Sequence, residues 1–177
     1  MKIIVSFLTV VTILFSSELN YNKTIDYFKS KNYLKCCKLG SKIYYKYSSN
    51  FASMVGIACA KTDNINILGD IIKKLYKTKF DRTNASYFVT LIFEKKLLYQ
   101  FVLDKISLKN LSLPKTKHIL SRVFEKISSG NYKYIDGKIV IQDKEYKYVI
   151  WSTTGKKRVM IIDEYKNGIL IKHHWYI

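Results

Sequence analysis

The feature that most constrains this chain is a change of apolar period near Gly130. Before it, apolar residues recur at three- and four-residue intervals with short polar breaks, the spacing of amphipathic helices. After it come β-branched and aromatic runs of strand length, beginning at Lys138, Tyr146, Arg158 and Ile169. Turn pairs separate them: Asp136-Gly137, Asp143-Lys144, Thr154-Gly155 and Asn167-Gly168. This reads as an antiparallel meander of four strands, with residues 131–135 as a fifth. Helices first and hairpins after make the fold class α+β. The predicted division is a signal peptide over 1–17, repeat-like antiparallel helical hairpins over 18–130, and an antiparallel β region over 131–177 that packs on or adjoins the helices.

Within the helical part, Ile25 and Phe28 mark a first helix and Leu34, Cys37 and Ile43 a second. Met54, Ile57 and Ala58 mark a third, and Ile67, Ile71, Ile72 and Leu75 a fourth. Ser48-Ser49-Asn50 and Thr62-Asp63-Asn64 supply N-cap chemistry where new helices are expected. The longest helix is predicted from Arg82 to Lys105, capped by Thr83 or Asn84, with a stripe of Phe88, Leu91, Ile92, Leu98, Phe101, Val102 and Ile106 interrupted by Glu94-Lys95-Lys96 and Gln100. Pro114 suits an early helical position, and a last helix carrying Ile119, Leu120, Val123, Phe124 and Ile127 is expected to stop at Gly130.

Lys31-Asn32-Tyr33-Leu34-Lys35-Cys36 resembles the turn of a tetratricopeptide repeat, with Tyr33 as its aromatic and Cys36 in its small position. Gly40 and Ile43, then Met54, Ile57 and Ala58, match further packing positions of such repeats over residues 21–77. Ser48 stands where such a repeat ends on proline. The resemblance implies a concave protein- or peptide-binding surface. In its register the second helix lies against the third, which would pair Cys59 with either Cys36 or Cys37.

The amino terminus combines Lys2, an apolar run from Ile3 to Phe15, and Ser16-Ser17. That is the pattern of a secretory signal peptide, cleaved near Ser16 or Ser17, and it points to the bacterial periplasm. The alternative is an uncleaved N-terminal anchor in the inner membrane. An oxidising compartment favours the disulfide over thiol catalysis.

The formal net charge of +18 points towards an anionic partner. Only three of the 31 basic residues are arginine, however (Arg82, Arg122 and Arg158). Lysine is a flexible point charge rather than a bidentate phosphate fork, so nucleic acid is disfavoured. Lys147, Lys156, Lys157 and Lys172 are the candidate anionic-ligand face, and Tyr148, Trp151, Trp175 and Tyr176 a candidate aromatic platform.

No phosphate-binding glycine loop, HExxH or paired CxxC is present. His173 and His174 are strand neighbours pointing to opposite faces, so no metal or cofactor is expected. The expected function is an exported, non-enzymatic scaffold or adaptor of the cell envelope that binds another protein or peptide. A binder of anionic envelope polymer or membrane surface is the alternative. An enzyme with an unrecognised site comes third.

Overall fold

A computed structural model describes residues 18–177. The predicted signal segment, residues 1–17, lies outside the described residues. Among these residues six helices precede a five-stranded antiparallel sheet, so the chain is α+β with a C-terminal meander. No helix among them is long and apolar enough to cross a membrane. The chain forms two compact units that divide between Phe88 and Val89. The apolar period changes near Gly130, but compactness divides elsewhere, because the sheet takes the helices just before it as its cover.

The N-terminal unit contains α1 (18–29), α2 (Tyr33–Gly40), a 3-10 turn (Tyr44–Lys46), α3 (Ser49–Lys61), α4 (Leu68–Ile72) and the start of α5 (Lys79–Asp104). Asn32 caps α2 by accepting from the Lys35 N–H at 3.3 Å, and Ser48 caps α3 by accepting from Phe51 N–H at 3.4 Å. Thr62 does not open a new helix as expected. It closes α3, its hydroxyl donating to the carbonyls of Ala58 and Cys59, while α4 begins after Ile67 without a side-chain cap. The cap of α5 lies further upstream than Thr83 or Asn84. Thr78 Oγ1 accepts from Asp81 N–H and Asp81 Oδ2 from Thr78 N–H, both at 3.0 Å, a reciprocal capping pair. Lys74 donates to the carbonyls of Tyr44, Tyr45 and Tyr47 at 3.2, 2.8 and 2.6 Å. One ammonium thereby shares the Tyr44 carbonyl with the Tyr47 N–H and meets the Tyr45 and Tyr47 carbonyls at the end of the short 3-10 turn.

Most of the stripe residues read in the sequence are buried, Cys37, Ile43, Ala58, Ile71, Leu75, Phe88, Leu91 and Leu98 among them, but Leu34 and Ile106 are exposed. Leu34 is 67% exposed, and α2 turns Cys36, Cys37 and Gly40 inward instead. In α3 the buried set is Phe51, Ala52, Val55, Ala58 and Cys59, with Met54 and Ile57 at its margin. Small residues let these helices approach closely. A β-carbon on Gly40 would collide with Val55, and one on Gly56 would lie 2.5 Å from the Phe88 ring. Alanine at Gly56 gains about 1 kcal/mol of helix propensity but overpacks a fully buried ring at a typical cost of about 1–3 kcal/mol. A net loss is expected for Gly56→Ala, read as a lower urea midpoint at unchanged slope.

The C-terminal unit contains the rest of α5, α6 (Ile119–Ser128), and strands β1 (Lys133–Ile135), β2 (Lys138–Asp143), β3 (Tyr146–Ser152), β4 (Met160–Lys166) and β5 (Ile169–Tyr176). The strands lie in sequence order, each antiparallel to the next. Two-residue turns join β1 to β2 and β4 to β5, with Asp136, Gly137, Asn167 and Gly168 all at positive φ. These mirror-image turns match the natural twist of the strands they join.

Pro114 falls in the connector and not within α6, whose N-cap is His118, Nδ1 accepting from Leu120 N–H at 3.2 Å. One face of the sheet, with Ile139, Ile141, Tyr148, Ile150, Met160, Ile162 and Tyr176, is buried together with the apolar face of α6. Arg122 fixes the register of α6 through the Tyr148 hydroxyl at 3.2 Å and Glu164 at 3.4 Å. Lys126 does the same through Asp143 at 2.7 Å.

Candidate functional site

In a strand, successive side chains alternate between faces, so residues an odd number apart cannot share one. That rule splits the expected aromatic platform. Tyr148 and Tyr176 lie on the buried face, 1% and 2% exposed. Trp151 and Trp175 lie on the opposite face, where the register sets Trp151, Ile161 and Trp175 in one cross-strand row. The next row on that face is Val149, Asp163 and His173.

Asp163 organises the second face. Its Oδ2 accepts from Trp151 Nε1–H at 2.9 Å and its Oδ1 meets His173 Nδ1 at 2.6 Å. Asp163 itself is 7% exposed, sheltered between the two residues it holds. Burying a carboxylate is costly unless hydrogen bonds compensate it. Here an indole and an imidazole supply them, and the Trp151 ring is held in one orientation. Lys138 lies over that ring, 5.3 Å from its centroid. His174 points the other way, as neighbours on a strand must, and meets Glu164 at 3.3 Å on the buried face.

The four lysines of the expected anionic face are likewise not brought together. Lys147 shares the face of Trp151 and sits 5.7 Å from the Tyr165 ring centroid. Lys172 pairs across the strands with Glu164 and so belongs to the other face, while Lys156 and Lys157 lie in the loop before β4. In the sequence His173 reads only as a neighbour of His174 and Asp163 as a strand-end residue, yet Asp163 lies in the middle of β4; Lys138 carries no signal there. The odd–even rule could have separated the aromatics, but the offset that brings Asp163 beside Trp151 depends on the pairing between strands.

β5 borders the face held by Asp163. Among the described residues it is the last strand of the sheet and pairs on one side only, with β4. Its register shifts at Glu164/Tyr165, so Ile171 is an extra residue between Leu170 and Lys172. Around that bulge Ile169, Leu170 and Ile171 are all exposed, Ile169 by 70%, and Trp175 by 61% further along. Edge strands are ordinarily blunted by charge, proline, brevity or a bulge, and of these β5 has the bulge at Ile171. β5 runs for eight residues, carries Lys172 as its one lysine, and contains no proline.

In the N-terminal unit Cys59 is bridged to Cys37, and Cys36 is a buried free thiol. Burial pushes the Cys36 thiol up to about 11, which keeps it protonated and unreactive near neutral pH. Among the described residues no three His, Cys, Asp or Glu side chains gather as a metal site. His118 is used as a helix cap. No protein-family model, curated protein or solved structure matches the chain.

Proposed function

We propose that the protein is an exported, non-catalytic scaffold or adaptor of a bacterial cell envelope, and that it binds an extended segment of another protein by adding a strand to the β5 edge. The observation that carries this reading is an eight-residue edge strand with Ile169, Leu170, Ile171 and Trp175 exposed along it. In strand addition the backbone of the edge supplies affinity and flanking side chains supply selectivity. Ile169, Ile171 and Trp175 are the residues placed to contact the incoming strand or its side chains. The Cys37–Cys59 bridge is compatible with export, since such bridges persist in oxidising compartments.

The test is affinity purification from envelope fractions with the wild-type chain and with Ile169→Lys/Ile171→Lys. Both positions are exposed, so stability should change by no more than about 0.5 kcal/mol per site. A specific protein should be recovered by the wild type and lost by the variant, with β5 amides exchanging more slowly in the complex. Equal recovery by both chains, or repeated recovery of nothing, overturns the reading.

A further inference from the structure

At the end of the sheet away from β5, the segment following α6 and the first three strands enclose a cleft of about 640 Å³. Its walls carry Lys126, Lys133 and Lys147, and among the described residues no acidic one lines it. Lys126 is neutralised by Asp143 at 2.7 Å. Lys133 and Lys147 make no ion pair with a carboxylate among the described residues. Neither charge is neutralised by a carboxylate, although the Lys147 ammonium rests 5.7 Å from the Tyr165 ring centroid and must swing from it to reach a ligand in the cleft that both residues line. The volume falls within the range of small-molecule sites, roughly 300–1,000 Å³.

The remainder of the wall is suited to the body of a ligand. Tyr132, Ile135 and Val140 give it an apolar surface. Tyr132 packs nearly perpendicular to both Phe101 and Tyr134, with ring centroids 5.5 and 5.7 Å away. A ring fixed in this way is a stacking surface that loses little entropy on binding. Lysines are long and adjustable, and they recognise charge rather than a fixed geometry.

We infer that this cleft binds a compact ring compound carrying at least two negative charges, of the sugar-phosphate class, with Lys133 and Lys147 taking the anionic groups and Tyr132 the ring. The site is independent of strand addition at β5 and stands or falls separately. It also locates the anionic-ligand chemistry more narrowly than total charge can. Of the four lysines first singled out, Lys147 alone lines the cleft.

The test is calorimetric titration of the full chain with glucose 1,6-bisphosphate, pyrophosphate, glucose and a phosphorylated polysaccharide at low salt. The bisphosphate or the polysaccharide should bind, and which of them does so identifies a free or a polymer-borne source. Lys133→Gln/Lys147→Gln should weaken that binding at least tenfold at unchanged thermal midpoint. Lys156→Gln/Lys157→Gln, which removes the same charge elsewhere, should leave it intact. Equal weakening by both pairs would reduce the effect to net charge and overturn the site. Pyrophosphate binding as tightly as the sugar bisphosphate would overturn the role of Tyr132 and the ring. Failure of both phosphorylated sugars to bind at millimolar concentration would overturn the inference altogether.

Discussion

Removing the Cys37–Cys59 bridge, by reductant or by Cys37→Ala/Cys59→Ala, is expected to destabilise the N-terminal unit by about 3 kcal/mol. The two cysteines are separated by 22 residues in sequence, and closing a loop of that length withdraws about 3 kcal/mol of chain entropy from the unfolded state. The bridge joins α2 to α3, where small residues already bring the helices close. Its loss should leave the native contacts in place and make unfolding easier. Cys36→Ala is the control, because it removes a buried thiol and leaves the bridge intact. Urea titrations with and without reductant provide the measurement, alongside alkylation of chain unfolded without reductant, which should label one thiol. Labelling of three thiols, or a midpoint indifferent to reductant, would contradict the bridge.

The second large effect is a dip in stability between about pH 7 and 8, produced by two adjacent residues of α5 with opposite charges. Glu94 is buried, its Oε1 accepting from the Ser121 hydroxyl at 2.5 Å, which in turn lies 2.7 Å from Thr116 Oγ1. Its Oε2 has no hydrogen-bond partner among the described residues. It borders a small cavity of about 50 Å³ that Lys115 and Glu125 also line, and these two pair with each other at 2.5 Å. Burial raises the Glu94 carboxyl from 4.5 to about 7, against the smaller opposing effect of the Ser121 hydrogen bond. Between those values the folded chain holds a proton that the unfolded chain has released. Stability therefore falls as pH rises through that window, by on the order of 3 kcal/mol.

Lys95 has the opposite sign. Its ammonium, buried with Nζ donating to the Ile177 carbonyl at 2.5 Å, is lowered from 10.5 to about 8 by burial and, to a lesser degree, by Lys96. Above pH 8 the folded chain sheds a proton that the unfolded chain keeps until about 10.5, so stability recovers as pH rises, by a similar amount. Glu94→Gln should abolish the falling limb and Lys95→Met the rising one. Guanidinium titrations from pH 5 to 10 would show each limb. A wild-type profile flat across that range would refute both assignments.

These two residues also show where reading the chain reaches its limit. Glu94-Lys95-Lys96 in a helix looks like a solvated interruption, and Lys96 is indeed exposed. Glu94 finds Ser121 on another helix and Lys95 a carbonyl 82 residues away, partners that no local spacing reveals. The strands were legible because Asp136-Gly137 and Asn167-Gly168 are residue pairs suited to consecutive positive φ. The helical stripes were less so. Leu34 outranks cysteine and glycine on any apolarity scale, yet Gly40 faces inward because only a missing side chain admits Val55. The candidate face of the sheet was half legible. Chain alternation separates Trp151 from Tyr148, but Asp163 reaches Trp151 only through the pairing of β3 with β4.

Every strand of the sheet pairs with its sequence neighbour and with no other. A meander of this kind has low contact order, so each hairpin closes a short loop before the next must form. It can therefore zip up from β1 towards β5 as the chain is delivered in N-to-C order, without waiting for a distant strand. β5 joins last, and until it does the exposed edge belongs to β4, with Ile161, Ile162 and Asp163 along it. A chain cut short before Ile169 would thus keep a nearly complete sheet but offer a partner a different template, one that carries Asp163, Glu164 and Lys166. In full-length protein, arrival of β5 would convert that transient edge into the lasting one.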